Sequence, residues 1–259
     1  MTRKKIGLAL SGGGARGLAH VGVIKVLAEH KIPIDMIAGT SIGSLIGGAF
    51  ASGLSPDEIE KMSHGIRWRH LTQPSYSPIA LLSNKRMGQF IERRFPITKF
   101  EELKIPLSVV ACDLKKSERV VFKDSGDLVT AIRASCAVPG FFSPVKYDGR
   151  TLVDGGVMDP LPVDAVKEMG ADVVIAVDLL GCGTEYLGVP KTALGMIFKS
   201  AFILLRTATK GQQHDADITL LPRIAHIRPD RLNQNEDCRL RGEEIARENI
   251  EEIKRLVSG

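Results

Sequence analysis

Apolar positions along the chain fall into two patterns, and together they predict strands alternating with helices. Ile6–Leu10 and Val173–Val177 are short apolar runs without polar alternation, as expected of strands covered on both faces, and Ile34–Ala38 and Leu107–Cys112 are mainly apolar runs that also read as strands. Arg119–Phe122, Thr151–Val153 and Ile218–Leu221 read as further strands. Helices are predicted over His20–His30, with Val21, Ile24, Leu27 and Ala28 on one face, and over Lys85–Phe95, Asp127–Cys136 and Val163–Met169. A charged terminal helix follows at about 236–257. Ser55-Pro56-Asp57-Glu58 supplies an N-cap, an N1 proline and first-turn acids for another.

Two segments depart from this regularity. Ala193–Leu205, which holds Leu194, Met196, Ile197, Phe198, Phe202, Ile203 and Leu204, is apolar nearly all round, which predicts a helix buried in the core; an acyl channel or a membrane dip would also use such a helix. Residues from about Gly65 to Asn84 are mixed, contain Trp68, Pro74 and Pro78, and read as a loop or lid. Lys61, His64, Arg67, Arg69 and His70 cluster around Trp68, as on a solvated basic face or a membrane-contacting lid. With no composition break and no internal repeat, the expectation is one domain over residues 1–259, a three-layer α/β/α architecture around a mainly parallel sheet.

Composition narrows the classes. At 44% hydrophobic and 25% charged residues the chain is ordinary for a globular protein with a sizeable core. The formal net charge of +5 suits an anionic membrane surface or nucleic acid, and no basic run interleaved with aromatics supports the latter. Cys112, Cys136, Cys182 and Cys238 form no C-x-x-C pair, so neither a zinc site nor a disulfide framework is indicated. A reducing, cytoplasmic setting is expected, with reversible peripheral contact at the inner face of the membrane. The basic start Thr2-Arg3-Lys4-Lys5 precedes an apolar run too short for a signal peptide. Met36–Leu54 lacks charge but is crowded with Gly and Ser, and a strand plus a buried helix explains it better than a membrane span.

Candidate chemistry starts inside that stretch. Gly39-Thr40-Ser41-Ile42-Gly43 lies between an apolar strand and a small-residue helix, the strand–elbow–helix context of a nucleophilic serine. Side chains at Gly39 and Gly43 would collide with the neighbouring strand and helix, and the helix N-terminus favours developing negative charge. Upstream, Gly12-x-Gly14-x-x-Gly17 follows a strand and opens a helix, which also fits a dinucleotide fingerprint. Asp35 has roughly the spacing of a ribose-binding acid but sits at the beginning of the second strand, whereas Ser41 occupies its carboxyl end. Loops after two parallel strands open on the same edge, so amides of Gly12, Gly13 and Gly14 would face the serine as oxyanion donors, with Arg16 adding positive charge nearby. A base for the serine is suggested by Thr151-Leu152-Val153-Asp154-Gly155-Gly156-Val157, where a carboxylate ends a strand and two glycines clear space; Asp-Gly-Gly is equally an ordinary turn. Asp113, Asp172 and Asp178 near other strand ends read as structural.

Taken in order, Gly12-Gly13-Gly14-Ala15-Arg16-Gly17, Gly39-Thr40-Ser41-Ile42-Gly43 and Asp154-Gly155-Gly156 resemble the motifs of the patatin-like phospholipase family, and Arg133–Phe142 resembles its further block between nucleophile and acid. The resemblance covers roughly residues 5–178. It implies a lipid acyl hydrolase acting on phospholipid or lysophospholipid esters through a Ser41–Asp154 dyad, with an oxyanion held by the Gly12–Gly14 amides near Arg16, and no metal, cofactor or catalytic histidine. A nucleotide-binding oxidoreductase and a catalytically silent membrane-binding module are the alternatives. Ser41, Asp154 and then His214 or His226 also mimic the triad order of α/β-hydrolases, but Ser41 ends only the second strand, too early for that fold.

Overall fold

A computed structural model describes residues 3–183 and 188–258; Thr2 and the Leu194 side chain lie outside the described residues. In chain order, β1 (Ile6–Leu10) runs through a glycine loop and a single 3-10 turn into α1 (Leu18–Glu29), and β2 (Met36–Thr40) turns directly into α2 (Ile42–Ala51). After α3 (Pro56–Ser63) and a short α4 (Trp68–Leu71) come β3 (Gln73–Pro74), β4 (Ala80–Ser83) and α5 (Lys85–Arg94). Then follow β5 (Leu107–Asp113), β6 (Glu118–Phe122), α6 (Leu128–Ser135), β7 (Gly140–Phe142), β8 (Val145–Tyr147) and β9 (Arg150–Asp154). The chain closes with α7 (Val163–Lys167), β10 (Val173–Val177), α8 (Ala193–His214), β11 (Ile218–Leu220) and α9 (Asn235–Ser258).

The three-layer α/β/α expectation holds. β11, β10, β1, β2 and β5 are parallel. Alternate residues of β1 serve opposite layers, because side chains of a strand point to opposite faces. Ile6, Leu8 and Leu10 join the core with Val21, Ile24 and Leu27 of α1, while Ala9 joins Val163 and Val166 of α7. α9 packs along α1 at backbone distance: a Cβ on Gly22 would lie 2.1 Å from the Arg239 carbonyl oxygen, and one on Gly242 would lie 2.0 Å from that of Ala19. α3 starts as its sequence predicts, the Ser55 side chain accepting from Glu58 N–H while the Glu58 carboxylate accepts from Ser55 N–H at 2.8 Å.

Antiparallel pairing on β5 decides where the second half of the chain arrives. Val109 and Val110 pair with both β2 and β6, so these two strands occupy opposite edges of β5. Ala111, Cys112 and Asp113 pair with both β6 and β9, so β9 shares the β2 edge. Thr40 stands opposite Val110 and Asp154 opposite Ala111. The strands therefore meet end to end, carboxyl terminus against carboxyl terminus.

Two expectations are corrected. The 65–84 segment is not a plain loop: it contains α4, β3 and β4, and β4 pairs with β7 in a second, three-stranded sheet. Its prolines and short runs hide a hairpin of β3 and β4, and β4 takes its second partner from the distant β7. Ala193–Leu205 is not core: within α8, Met196, Ile197, Ile203 and Leu204 are exposed. All-round apolarity fits a buried helix equally well, and nothing local in the chain distinguishes the two.

Candidate active site

β2 ends at Thr40 and α2 begins at Ile42, so Ser41 alone reverses the chain. It adopts φ 53° and ψ −123°, a left-handed backbone that costs a non-glycine residue on the order of 1–3 kcal/mol. Tertiary contacts hold this conformation. Ser41 N–H donates to Ser135 Oγ at 2.8 Å, and Thr40 Oγ1 donates to the Asp159 carbonyl oxygen at 2.8 Å. A Cβ on Gly43 would stand 2.2 Å from the Leu10 carbonyl oxygen, and one on Gly39 would stand 2.6 Å from Ser44 N, so the turn closes only with glycine on both sides.

The hydroxyl meets a carboxylate. Ser41 Oγ donates to Asp154 Oδ2 at 2.6 Å, and Gly156 N–H donates to Asp154 Oδ1 at 2.8 Å. Both side chains are buried. Burial raises the Asp154 carboxyl from 3.8 to about 6, against the opposing pull of its bonds from Ser41 and Gly156. Gly155 permits the approach, because a Cβ there would lie 2.3 Å from the Val110 carbonyl oxygen. The beginning of the Arg133–Phe142 block ties both groups down: Ser135 receives the Ser41 amide, and the Ala137 carbonyl oxygen accepts from Asp154 N–H at 2.9 Å. Cys136 between them is buried, its thiol pushed up by desolvation and then by Asp154.

The glycine loop borders the serine. A Cβ on Gly12 would sit 3.5 Å from Ser41 Cβ. Gly12 N–H itself is committed, donating to the Pro160 carbonyl oxygen at 3.0 Å. Gly13 and Gly14 N–H have no hydrogen-bond acceptor among the described residues. Gly17 packs on Ile42, its hypothetical Cβ 2.3 Å from Ile42 Cγ1. Arg16 is fully buried, and its guanidinium donates to the carbonyl oxygens of Ile227 at 2.9 Å, Leu179 at 3.2 Å and Gly183 at 3.3 Å. Its side chain thus braces the glycine loop against the later chain. Asp35 lies at the opposite end of β2, where it accepts from Ile6 N–H at 2.7 Å and pairs with Arg3, so it is absent from the edge where a ribose would sit. Asp172 accepts from Lys5 N–H at 2.7 Å, Asp113 from Lys115 N–H at 3.0 Å, and Asp178 from Leu180 N–H at 2.7 Å.

No histidine among the described residues is hydrogen-bonded to Ser41 or Asp154. His20 is buried with Nε2 2.9 Å from the Ser11 carbonyl oxygen, and desolvation lowers it to about 4, which keeps the ring neutral. His226 pairs with Asp237 at 2.7 Å on the surface, and His214 closes α8. Sequence reading missed two supports of the elbow. Asp159 is a buried carboxylate paired with Arg119 at 3.1 Å and with Gln212 Nε2 at 2.7 Å, and its carbonyl holds Thr40. Ser135 lies within the Arg133–Phe142 block, and a serine on a helix carries no local mark of which amide it receives.

Comparison with known proteins places the chain in a family. The profile of patatin-like phospholipases matches residues 8–167. An uncharacterized NTE family protein of Mycobacterium tuberculosis is 40% identical over 180 residues, 68% of this chain and 49% of that protein. The lysophospholipase nte1 of Neurospora crassa is 37% identical over 184 residues, 68% of this chain and 12% of that protein. The chain therefore spans about half the length of the mycobacterial relative. In fold it is similar to VipD of Legionella pneumophila, with a TM-score of 0.65 at 14% identity over 99% of this chain and 67% of that one.

Proposed function

The chain belongs to the patatin-like phospholipase family, and from that premise we propose that it is a serine hydrolase cleaving carboxylic esters of phospholipids or lysophospholipids. The observation that carries this is the 2.6 Å bond from Ser41 Oγ to the buried Asp154 carboxylate at a strained elbow. Ser41 Oγ attacks the ester carbonyl while its proton passes to Asp154 Oδ2. The oxyanion of the tetrahedral intermediate is held by the Gly13 and Gly14 amides of the loop before α1, and the N-terminus of α2, which follows Ser41, favours its charge. Collapse expels the alcohol half of the lipid, which takes the proton from Asp154 and leaves an acyl ester on Ser41. Water then gives a proton to Asp154, attacks the acyl carbon, and releases the fatty acid as the proton returns to Ser41. Gly12 and Arg16 shape the loop, and Gly39, Gly43, Gly17, Gly155 and Gly156 allow the approaches that bring these groups together.

A fluorophosphonate probe tests the assignment. Covalent labelling is expected at Ser41 and is absent in Ser41→Ala, whereas His214→Ala and His226→Ala keep labelling and ester turnover within about threefold, as no triad histidine is involved. Loss of labelling in either histidine variant, with folding intact, would remove the dyad.

The pH profile provides a second check. Only the ionised carboxylate accepts the serine proton, so kcat/KM on a soluble short-chain ester is expected to rise with pH, pass half-maximum near 6 and level off above it. A profile flat from pH 5 to about 7, or one with its half-point well above 7, would assign the base elsewhere.

A further inference from the structure

α8 has two apolar faces with different fates. Phe198, Phe202, Leu205 and Thr209, at helical spacing, turn inward, whereas Ile197 and Leu204 are 63% and 71% exposed, with Ile203 beside them. The helix carries Lys199, Arg206 and Lys210 and no Asp or Glu. A second apolar group lies on the β3–β4 hairpin, where Tyr76 projects and Ile79 and Leu81 are 65% and 59% exposed. No acidic residue occurs between Glu60 and Glu92, and Arg67, Arg69 and Lys85 of that stretch are exposed.

The two groups are physically joined beside the site. β4 pairs with β7, and Phe141 of β7 stacks on Phe198 of α8 with ring centroids 4.1 Å apart. A Cβ on Gly156 would lie 3.6 Å from Leu205 Cδ2, and the exposed Val157 and Met158 come directly after Gly156. The exposed apolar groups of the hairpin and of α8 are therefore linked through Phe141, and α8 borders the turn that carries Asp154. Surfaces of this kind mark interaction sites.

We propose that α8 and the β3–β4 hairpin form one docking surface for an anionic lipid bilayer, with Ile79, Leu81, Ile197, Ile203 and Leu204 entering the boundary between headgroups and acyl chains. The use of this contact, presenting lipid to Ser41, rests on the hydrolase assignment; the contact itself does not. Charge selects the occupant. α8 carries only basic charges, and the uncharged hairpin is flanked by Arg67, Arg69 and Lys85 with no acidic residue nearby in the chain, which complements lipid phosphates, whereas a two-fold contact with a second copy would set these cations against their own kind. Among the described residues no helix is long and apolar enough to cross a membrane. A helix with an exposed apolar face and flanking cations suits the interfacial plane.

Flotation with phosphatidylcholine vesicles, with and without phosphatidylglycerol, tests this surface. The wild type is expected to float with the anionic vesicles and only weakly with the neutral ones, and added salt removes part of the binding. Ile197→Ser/Leu204→Ser and Ile79→Ser/Leu81→Ser should each lower the bound fraction constant at least tenfold and depress hydrolysis of vesicle lipid, while a soluble short-chain ester is turned over at the wild-type rate. Unchanged flotation of both double variants overturns the proposal. So does a dimer in sedimentation velocity that both variants dissociate while neither they nor the wild type bind vesicles, because the occupant is then a second copy. Intact, variant-sensitive flotation without any turnover of the soluble ester supports the docking surface and removes the hydrolase assignment alone.

Discussion

Asp154→Asn is expected to lower ester turnover by on the order of 10⁴-fold or more while making the protein more stable at pH 8. The loss follows because a carboxamide cannot take the proton from Ser41 Oγ, which lies 2.6 Å from Asp154 Oδ2 in the wild type. The gain follows from burial. The carboxyl titrates at about 6 when folded and at 3.8 ordinarily, so between these values the folded chain holds a proton that the unfolded chain has released. Wild-type stability consequently falls as pH rises through that window, and above about 6 the full cost, about 3 kcal/mol, is present. Asparagine never ionises, and its oxygen can still accept from Gly156 N–H. The variant should therefore match the wild type below pH 3.8, where both side chains are neutral, and exceed it by about 2–3 kcal/mol at pH 8. Denaturant midpoints at both pH values, alongside turnover, check the pair of effects. Activity retained within tenfold would exclude Asp154 as the base, and a stability difference independent of pH would exclude the buried charge.

Gly43→Ala is expected to cost about 3 kcal/mol or more and to abolish labelling of Ser41. Intrinsic helix propensity alone would favour alanine by about 1 kcal/mol, so the sign of the result is diagnostic. The added methyl would stand 2.2 Å from the Leu10 carbonyl oxygen and 2.7 Å from that of Ser11, both backbone atoms at the end of β1. Neither can yield without shifting the strand that anchors the sheet, and that shift would carry Ser41 away from Asp154. Gly12→Ala is the control. Its methyl meets Ser41 Cβ at 3.5 Å, an ordinary contact, so folding should survive within about 1 kcal/mol. Thermal or chemical unfolding of both variants measures the contrast; equal stabilities would mean that the elbow tolerates bulk at Gly43.

The sequence by itself determined the parts of this protein whose signals are local. Unalternated apolar runs located β1 and β10 to the residue, because strands covered on both faces leave no polar position in the run. Capping chemistry placed the start of α3, and Gly39-Thr40-Ser41-Ile42-Gly43 marked the elbow, because a reversal this tight restricts residue type at fixed spacing. The β2 strand shows the limit: expected over Ile34–Ala38, it runs over Met36–Thr40, since its ends are fixed by pairing with β1 and β5 rather than by its own composition. Tertiary structure alone decided the rest. Nothing within Thr151–Val157 says that β9 runs antiparallel on β5 and meets the end of β2, yet that register is what joins Ser41 to Asp154. Likewise Ser135 and Asp159 gain their parts from the atoms they face, and the apolar flank of α8 is exposed because none of the described elements packs over it. Periodicity records which residues share a face of one element; which neighbour covers that face depends on long-range pairing, which leaves no periodic trace in the chain.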